Sequence, residues 1–428
     1  MMASAPATRA ALDEHKLRRL RALMAEVIPA NAFYAAKFAG EVPRPASLAE
    51  LADWPLTTKA ELVAGSAGGI PANLTFPPER YVRFHRTSGT HGRPMPVFDT
   101  AADWAWWLEC WDAILARAEV GPGDRVLVAS SFGPFIGFWS GFEGAEKRGA
   151  MVIPTGGMSS LARLQLACDT RATVLMATPS YALHLAEVAA QAKIDIAGLP
   201  IRLVIVAGEP GGSIPQVRDR IGLEWDARVL DHAGSSEVGP WGVGDRHGRH
   251  LAVLEPWFHP EFLAPSTGQP AAAGELAELV LTTLGRAGAP LIRYRTGDLV
   301  RASWPADSAA DPPWVRLTGG IVGRADDMLV VRGVNVFPGA VDGIVRGFPE
   351  VTEYRLTVAR RMSLDELDLE IEDRLADPQR VEREFHLRLG LRVNVAVVPP
   401  GTLPRFEGKG SRVVDARGTN GGSGERRP

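Results

Sequence analysis

The sequence predicts an α/β protein with a large N-terminal domain of parallel α/β sheets carrying a small β-subdomain. A small, mobile α+β C-terminal domain is expected to follow. Three observations carry that expectation. Between residues 120 and 235, short apolar runs alternate with helix-length stretches. After about residue 270 the pattern becomes an alternation of single apolar and polar positions. The last hundred residues read as a hairpin, helices and strands, joined to the rest by the acidic connector GRADD (residues 323–327).

Taken in order, the elements follow from periodicity. Leu17, Leu20, Met24 and Val27 recur at helical spacing, which predicts an amphipathic helix packed on the body. The charged N-terminal stretch has no apolar core of signal-peptide type. RVLVASS (125–131), MVIP, TVLMATP, LVIVAGEP and RVLDHAG read as strands. GFWSGFEGAEKRGA, LARLQLACDT and SYALHLAEVAAQAKI read as the helices between them. Strands that are apolar almost throughout belong to a parallel sheet covered on both faces. Ligands of such sheets bind beyond the carboxyl ends of the strands. That rule singles out two loops, AGEPGG (207–212) with Glu209, and HAGSSE (232–237). GELAELVLTTL reads as a half-buried strand and SWPADSAADPPW (303–314) as a surface loop. Beyond GRADD, MLVVRGVNVF is a hairpin and PGAVDGIVRGF a helix with Pro338 at its start. YRLTVA and LDLEIE are strands, DPQRVEREFHLRL a helix and RVNVAVV a strand. The tail GTNGGSGERRP reads as disordered. The expected domains are therefore 1–325 and 326–428.

Composition narrows the function classes. The 428 residues favour two or three domains and a large buried core. Hydrophobic residues make up 46% and charged ones 23%, as in soluble proteins. The 45 Gly and 33 Pro sum to 78 of 428, below the roughly 25–30% of low-complexity chains, so they punctuate loops. A net charge of −3 implies no global attraction to nucleic acid, so substrate phosphates must be held by local groups. Two cysteines, Cys110 and Cys168, are too few for a disulfide framework and suit a reduced, cytoplasmic protein. No apolar run is long enough to span a membrane.

Five motifs carry chemistry, and each has an ordinary alternative. RTSGTHGRP (86–94) offers the hydroxyls of Thr87, Ser88 and Thr90 and backbone N–H groups opened by Gly89 and Gly92. Such a loop can cradle an anion, although Ser/Thr/Gly clusters are more often plain turns, and it is not a P-loop. HAGSSEVG places Glu237 where a carboxylate can hold Mg²⁺, with Ser236 as a donor; a solvated turn is the alternative. His232 there is most simply a satisfied loop histidine. RYRTGD sets Asp298 after a Thr-Gly turn, where two acceptor oxygens suit the adjacent hydroxyls of a ribose. Arg293 and Arg295 beside it can pair with carboxylates or approach phosphates. GRADDMLVVRGVNVFP is a charged, glycine-bearing connector containing Arg324, Asp326, Asp327, Gly333 and Asn335. PRFEGKGSR holds Lys409 in a glycine-flanked loop, by itself an ordinary solvated charge. A phosphate cradle, a ribose-suited carboxylate and a late mobile lysine are the parts needed to couple a carboxylic acid to ATP.

In this order the motifs resemble the adenylate-forming superfamily, most closely its phenylacetate–CoA ligase family, over about residues 17–414. RYRTGD, GRADDMLVVRGVNVFP and LPRFEGK match that family almost letter for letter. The resemblance implies two steps. A carboxylate attacks the α-phosphate of Mg-ATP, and a thiol, usually coenzyme A, then displaces AMP from the acyl-adenylate. It implies that the loop from Ser88 to Gly92 holds the β- and γ-phosphates. Glu237 would be the Mg²⁺-linked acid with Ser236 its neighbour, and Asp298 would bind ribose. Arg324 would lie near nucleotide and hinge, Asp326 at the hinge, Gly333 along the thiol tunnel, and Lys409 between carboxylate and α-phosphate. The same adenylation serves amide synthetases and ligases that load a carrier protein, so the acceptor stays open. A non-catalytic nucleotide-binding relative is the third class, against which Asp298 and Lys409 together argue.

This chain departs from the family pattern at several places. His91 and Arg93 replace a usual Thr and Lys. Ala233 stands where an aromatic usually stacks on adenine. Two regions where many relatives carry cysteines have none here; His247, His250 and His259 are candidate metal ligands, solvated histidines the simpler alternative. Phe132, Phe135, Phe138 and Trp139, facing Ala207, Gly208, His232 and Trp241, suit a pocket for a flat aromatic acid, with core packing as the alternative. The expected partners are a small aromatic carboxylic acid and coenzyme A or a carrier protein, without nucleic acid or membrane. A homodimer is open.

Overall fold

Thr8 starts the first helix: its side chain accepts a hydrogen bond from the Ala11 N–H at 3.2 Å. Helix α1 (Arg9–Val27) buries Leu12, Leu20, Leu23, Met24 and Val27, as the apolar spacing requires, while Leu17 stays half-buried. Lys16 is buried too, and is neutralised by Glu255 at 2.7 Å. The computed structural model describes residues 6–64, 70–87, 94–131, 133, 136–306, 311–361, 364–406 and 412–417.

Two short helices follow, α2 (Ala32–Lys37) and α3 (Lys59–Ala64). An antiparallel pair, β1 (Tyr81–Arg86) and β2 (Pro96–Thr100), brackets the hydroxyl- and glycine-rich loop. Helix α4 (Ala101–Arg117) begins with a reciprocal Thr100–Asp103 cap and buries Trp104, Trp106, Trp107 and Trp111. The alternating region then runs β3 (Arg125–Val128), α5 (Trp139–Lys147), β4 (Met151–Pro154), α6 (Ser160–Thr170) and β5 (Val174–Ala177). It continues with α7 (Pro179–Ala192), β6 (Leu203–Ala207), α8 (Pro215–Trp225) and β7 (Arg228–Ser235). Helix α8 had no apolar run to announce it, because only Val217, Ile221 and Trp225 are buried among charged neighbours.

The antiparallel region comprises β8 (Gly239–Gly244), β9 (His250–Val253), β10 (Phe258–Leu263), β11 (Leu276–Thr283), β12 (Tyr294–Ser303) and β13 (Arg316–Arg324). These strands make up the antiparallel β-region expected after residue 270, and they are continuous with the parallel strands. Among the described residues, eleven strands form one continuous sheet in the order β10-β11-β12-β13-β9-β8-β7-β6-β5-β3-β4. Strand β7 is the junction, parallel to β6 and antiparallel to β8. Within the parallel half, β3 lies between β4 and β5, so the connections leaving β3 and β5 run in opposite directions, the kind of switch point beside which ligands of such sheets bind.

The C-terminal elements are β14 (Leu329–Val331), β15 (Val334–Val336), α9 (Pro338–Val345), β16 (Val351–Arg361) and β17 (Leu364–Asp373). After them come α10 (Pro378–Leu389), β18 (Asn394–Val397) and β19 (Val413–Asp415). Four strands order as β18-β17-β16-β19 over a core of their own, including Tyr354, Leu369, Val381 and Phe385. Strand β19 is three residues long and carried no readable alternation. The tail beyond Arg417 lies outside the described residues. No described helix is long and apolar enough to cross a membrane.

Candidate active site

Strand β7 runs further than its loop-like sequence suggests. His232, Ala233, Gly234 and Ser235 are still strand, and only Ser236, Glu237 and Val238 turn the chain into β8. This corrects the reading of HAGSSE as a loop. The turn is tight because Gly239 takes φ +119, a value strained for other residues, against Trp106 and Phe258.

The turn presents Glu237 as a half-buried carboxylate whose Oε1 accepts a hydrogen bond from the Tyr294 hydroxyl at 3.2 Å. Arg286, paired with the fully buried Asp99 at 2.7 Å, donates to the Glu237 carbonyl and so anchors the turn from below. Lys59, at the start of α3, brings its Nζ to 4.0 Å from Glu237 Oε1. Tyr294 is almost wholly buried; burial, then the Glu237 charge, raises its pKa well above the ordinary phenol value, so it stays a donor. Sequence reasoning passed over Tyr294 and Lys59. The signal for Tyr294 lay in its strand neighbour: successive strand residues face opposite ways, and Arg295 is exposed while Tyr294 is buried. Those two arginines are structural. Arg293 pairs with Glu261 at 2.8 Å, and Arg295 hydrogen-bonds Glu278 at 3.0 Å.

Asp298 lies four residues along β12, after a turn in which Gly297 has φ +78 and Asp298 N donates to Thr296 Oγ1 at 3.0 Å. Its cross-strand neighbour is Arg324, the last residue of β13. Arg324 Nη1 meets Asp298 Oδ1 at 3.2 Å, and Arg324 Nε meets Asp326 Oδ1 at 2.9 Å. Burial disfavours the guanidinium charge. Hydrogen bonding to Asp326 and the charges of Asp298, Asp326 and Asp327 outweigh it, holding the pKa above the usual arginine value. A Cβ at Gly297 would stand 3.0 Å from Arg324 Nη2, so glycine is what lets the cation approach.

The other expected residues fall in three groups. Thr87 is buried, its hydroxyl oxygen accepting from the Met95 N–H at 2.9 Å, while Ser88, Gly89, Thr90, His91, Gly92 and Arg93 lie outside the described residues. Lys409, Phe132 and Phe135 also lie outside them. Glu209 is not seen with Glu237 or Asp298: it accepts from the Ser180 N–H at 2.7 Å at the start of α7, and burial raises its pKa. Ala207 ends β6 and Gly208 follows it at φ +96.

The expected pocket walls lie deep. Trp241 is 1% exposed and Phe138 6%, both within the main core, with Trp139 half-buried against it. His232 is buried on Trp111, ring centroids 4.5 Å apart, and its Nδ1–H donates to the Gly242 carbonyl at 2.8 Å. Burial lowers its pKa to about 4, so the ring is neutral. It is a strand residue of the core, which replaces the loop histidine expected. Gly333 has φ +80 and an open surrounding in the β14–β15 turn. His247, His250 and His259 do not converge: no group of three or more His, Cys, Asp or Glu suited to a metal occurs among the described residues.

The two halves meet at specific contacts. Helix α9 packs on α8, with Gly339 beside Pro210 and Ile214 and Gly343 beside Ile214. Arg220 donates to the Val351 carbonyl at 3.0 Å, and Arg405 meets Glu187 at 3.4 Å. The Phe337 ring lies directly over Gly323.

Comparison with known proteins agrees with this anatomy. A family profile described as "AMP-binding enzyme C-terminal domain" matches residues 333–417. The chain is 33% identical over 431 residues to phenylacetate-coenzyme A ligase of Pseudomonas putida, covering 95% of this chain and 94% of that one. It is 35% identical over 410 residues to the enzyme of the same name from Escherichia coli strain K12, covering 90% of each. It resembles 2-hydroxyisobutyryl-CoA ligase solved in the postadenylation state with R3-HIB-AMP, with TM-score 0.90, 27% identity and coverage of 97% and 92%. The same ligase with 2-HIB-AMP and CoA in the thioesterification state gives TM-score 0.72 at 28% identity and the same coverage. With the fold, the Glu237 turn and the Asp298–Arg324 pair in place, these similarities establish that the chain belongs to the phenylacetate–coenzyme A ligase family.

Proposed function

We propose that this chain activates an aromatic carboxylic acid with ATP and transfers the acyl group to coenzyme A, releasing AMP and pyrophosphate. The observation that carries the reading is the linkage of two carboxylates on neighbouring elements. Glu237 is fixed by Tyr294, and Asp298, four residues further along the same strand, is tied through Arg324 to Asp326 at the start of the C-terminal unit.

In the first step an oxygen of the substrate carboxylate attacks the α-phosphorus, and the bond to the pyrophosphate oxygen breaks. In the second, the thiol attacks the acyl carbonyl and AMP leaves. Both steps crowd negative oxygens together, so the protein's contribution is positioning and charge. Asp298 would hold the ribose hydroxyls, and residues 88–92 with Thr87 would hold the terminal phosphates. Lys409 would supply a point charge when the C-terminal unit is closed. Glu237 is the residue that would hold Mg²⁺. A single half-buried carboxylate with one oxygen fixed by a phenol suits an ion that binds through one or two carboxylates plus phosphates. When bound, the ion supplies positive charge to those phosphates. Ser236 beside it would donate to a phosphate oxygen.

Residues 1–325 and 326–428 would be the two moving bodies, with Asp326 as pivot. Support comes from one relative in two states: coverage is the same, yet the match falls from 0.90 to 0.72. The relative is the same in that comparison, so the difference is one of shape, and this chain is more similar to the postadenylation state. Gly333 would enter the thiol path only after rotation. The acid would sit over the buried Phe138–Trp139 and Trp241 region beside Ala207, with His232 in its floor.

The test is ATP–pyrophosphate exchange across a panel of aryl, arylacetic and aliphatic acids, followed by mass analysis of products formed with coenzyme A or with amines. An aryl-CoA thioester is the expected product. Exchange confined to medium aliphatic acids would overturn the substrate class, and an amide product the acceptor.

A further inference from the structure

A second polar cavity lies away from the Glu237 turn. Its volume is about 530 Å³, within the range of small-ligand sites. It opens at the far end of β8, about 17 Å along the strand from the Glu237 turn by strand rise. Its walls are the end of α4 (Arg117), the β8–β9 connection (Asp245, Arg246, Arg249, His250) and the approach to β13 (Asp311, Trp314, Arg316).

The charge balance of this cavity is unusual. Four arginines line it against two aspartates. Asp311 is shared, at 3.7 Å from Arg117 Nη2 and 3.6 Å from Arg316 Nη2. Arg249 Nε stands 3.6 Å from Asp245 Oδ2, an oxygen pair whose other member already accepts the Arg249 backbone N–H at 2.7 Å. These separations exceed a hydrogen bond, so charge is balanced in part while the guanidinium N–H groups keep donor capacity. Arg246 pairs outward with Glu119.

Three buried polar atoms on residues that line the same cavity have no hydrogen-bond partner: Arg117 Nε, Trp314 Nε1 and His250 Nδ1. Arg117 and Trp314 can only donate there. Trp314 is 4% exposed, and the Arg117 guanidinium stacks 5.7 Å from its ring centroid. Leaving buried donors unpaired is costly, so such groups are normally paired with protein, water or a bound group. Burial lowers the His250 pKa; Asp245 opposes this, and Arg316 and Arg249 add to it.

We propose that this cavity is a binding site for a phosphate-class oxyanion, carried by a small molecule and held by Arg117, Arg249, Arg316 and the Trp314 indole N–H. An oxyanion supplies the acceptors these donors lack and neutralises the surplus cations, and guanidinium geometry suits it. The site is separate from the acid-activating one, and nothing in its chemistry requires turnover.

The experiment fills the active site first with a saturating non-hydrolysable acyl-adenylate analogue. Inorganic phosphate, pyrophosphate and AMP are then each titrated by calorimetry at constant ionic strength. Saturable one-to-one binding is expected for at least one of them, and which one binds tells a bare oxyanion from a nucleotide. The double variant R249E/R316E, altered at partly exposed positions, is expected to weaken that binding at least tenfold while retaining the wild-type melting temperature and affinity for the adenylate analogue. Absence of binding by all three probes overturns the proposal, as does equal affinity in the variant. If the double variant does not fold, R249Q alone is expected to weaken binding severalfold, and no change there overturns it.

Discussion

Gly323 offers a direct test of how the C-terminal unit docks. A Cβ added there would lie 2.9 Å from Phe337 Cγ, 3.2 Å from its Cβ and closer still to Cδ1. These are stem atoms of a ring that is 9% exposed, so the ring cannot swing clear. Gly323→Ala therefore overpacks the seam between β13 and the start of α9 in this arrangement. Overpacking of this kind costs about 1–3 kcal/mol. Spent on a two-state equilibrium, it shifts populations about 5- to 150-fold away from the adenylation-side arrangement. ATP–pyrophosphate exchange should fall by that factor, while conversion of a supplied acyl-adenylate to thioester should be spared. Gly343→Ala is the control: its Cβ would meet Ile214 Cγ2 at 3.4 Å, an ordinary contact, and both half-reactions should be unchanged. Equal losses in the two half-reactions of Gly323→Ala would refute the reasoning.

Three further outcomes are expected. Asp298→Ala should raise the KM for ATP about 10- to 150-fold, the worth of a charged hydrogen bond, with the fold kept because Arg324 retains Asp326; an unchanged KM would count against ribose binding there. Glu237→Gln should slow adenylation about 100- to 1000-fold and raise the Mg²⁺ needed for half-maximal exchange, whereas Tyr294→Phe should cost about tenfold. An unaltered Mg²⁺ titration would remove Glu237 from that role. Acid stability should follow His85 and His232, whose pKa values burial lowers to about 4. Their unfolded values lie near 6.5, so the unfolded chain binds more protons between those limits and stability falls as pH drops from 6.5 to 4. Asp231, raised by burial to about 6, opposes this, since its folded form binds the proton more tightly below that pH. The His232 share is isolated by His232→Asn, which should flatten the dependence of Tm on pH between 6.5 and 4; an identical slope would exclude the ring as a contributor.

Most of the scaffold was readable because strands buried on both faces must be apolar throughout. LVIV and VLMA announce themselves in that way, as do the helices whose apolar residues recur on one face. Helix α8 did not, because one face lies against the sheet while the rest is charged. The merging of the antiparallel strands into the main sheet was also hidden: nothing local in RVLDHAGS says that its next neighbour runs the opposite way. At the site, the carboxylates were legible from turn chemistry around Thr296–Gly297 and Ser235–Gly239. What supports them was not. Tyr294 lies 57 residues from Glu237 in sequence and Arg286 lies 49, and such partnerships exist only once β8 and β12 share a sheet. The aromatic run near Phe138 was ambiguous for a different reason: a ring that lines a pocket and a ring that fills a core have the same composition.

One feature of the connector bears on timing. Arg324 divides its hydrogen bonds between Asp298 and Asp326. If ribose hydroxyls claim Asp298, the guanidinium is pulled less toward the nucleotide and leans on the pivot, stiffening it. On the proposed function, Asp298 would reclaim its share when AMP departs and the pivot would loosen. A single cation would thus act as an escapement, letting the swing proceed in step with whether the sugar is seated.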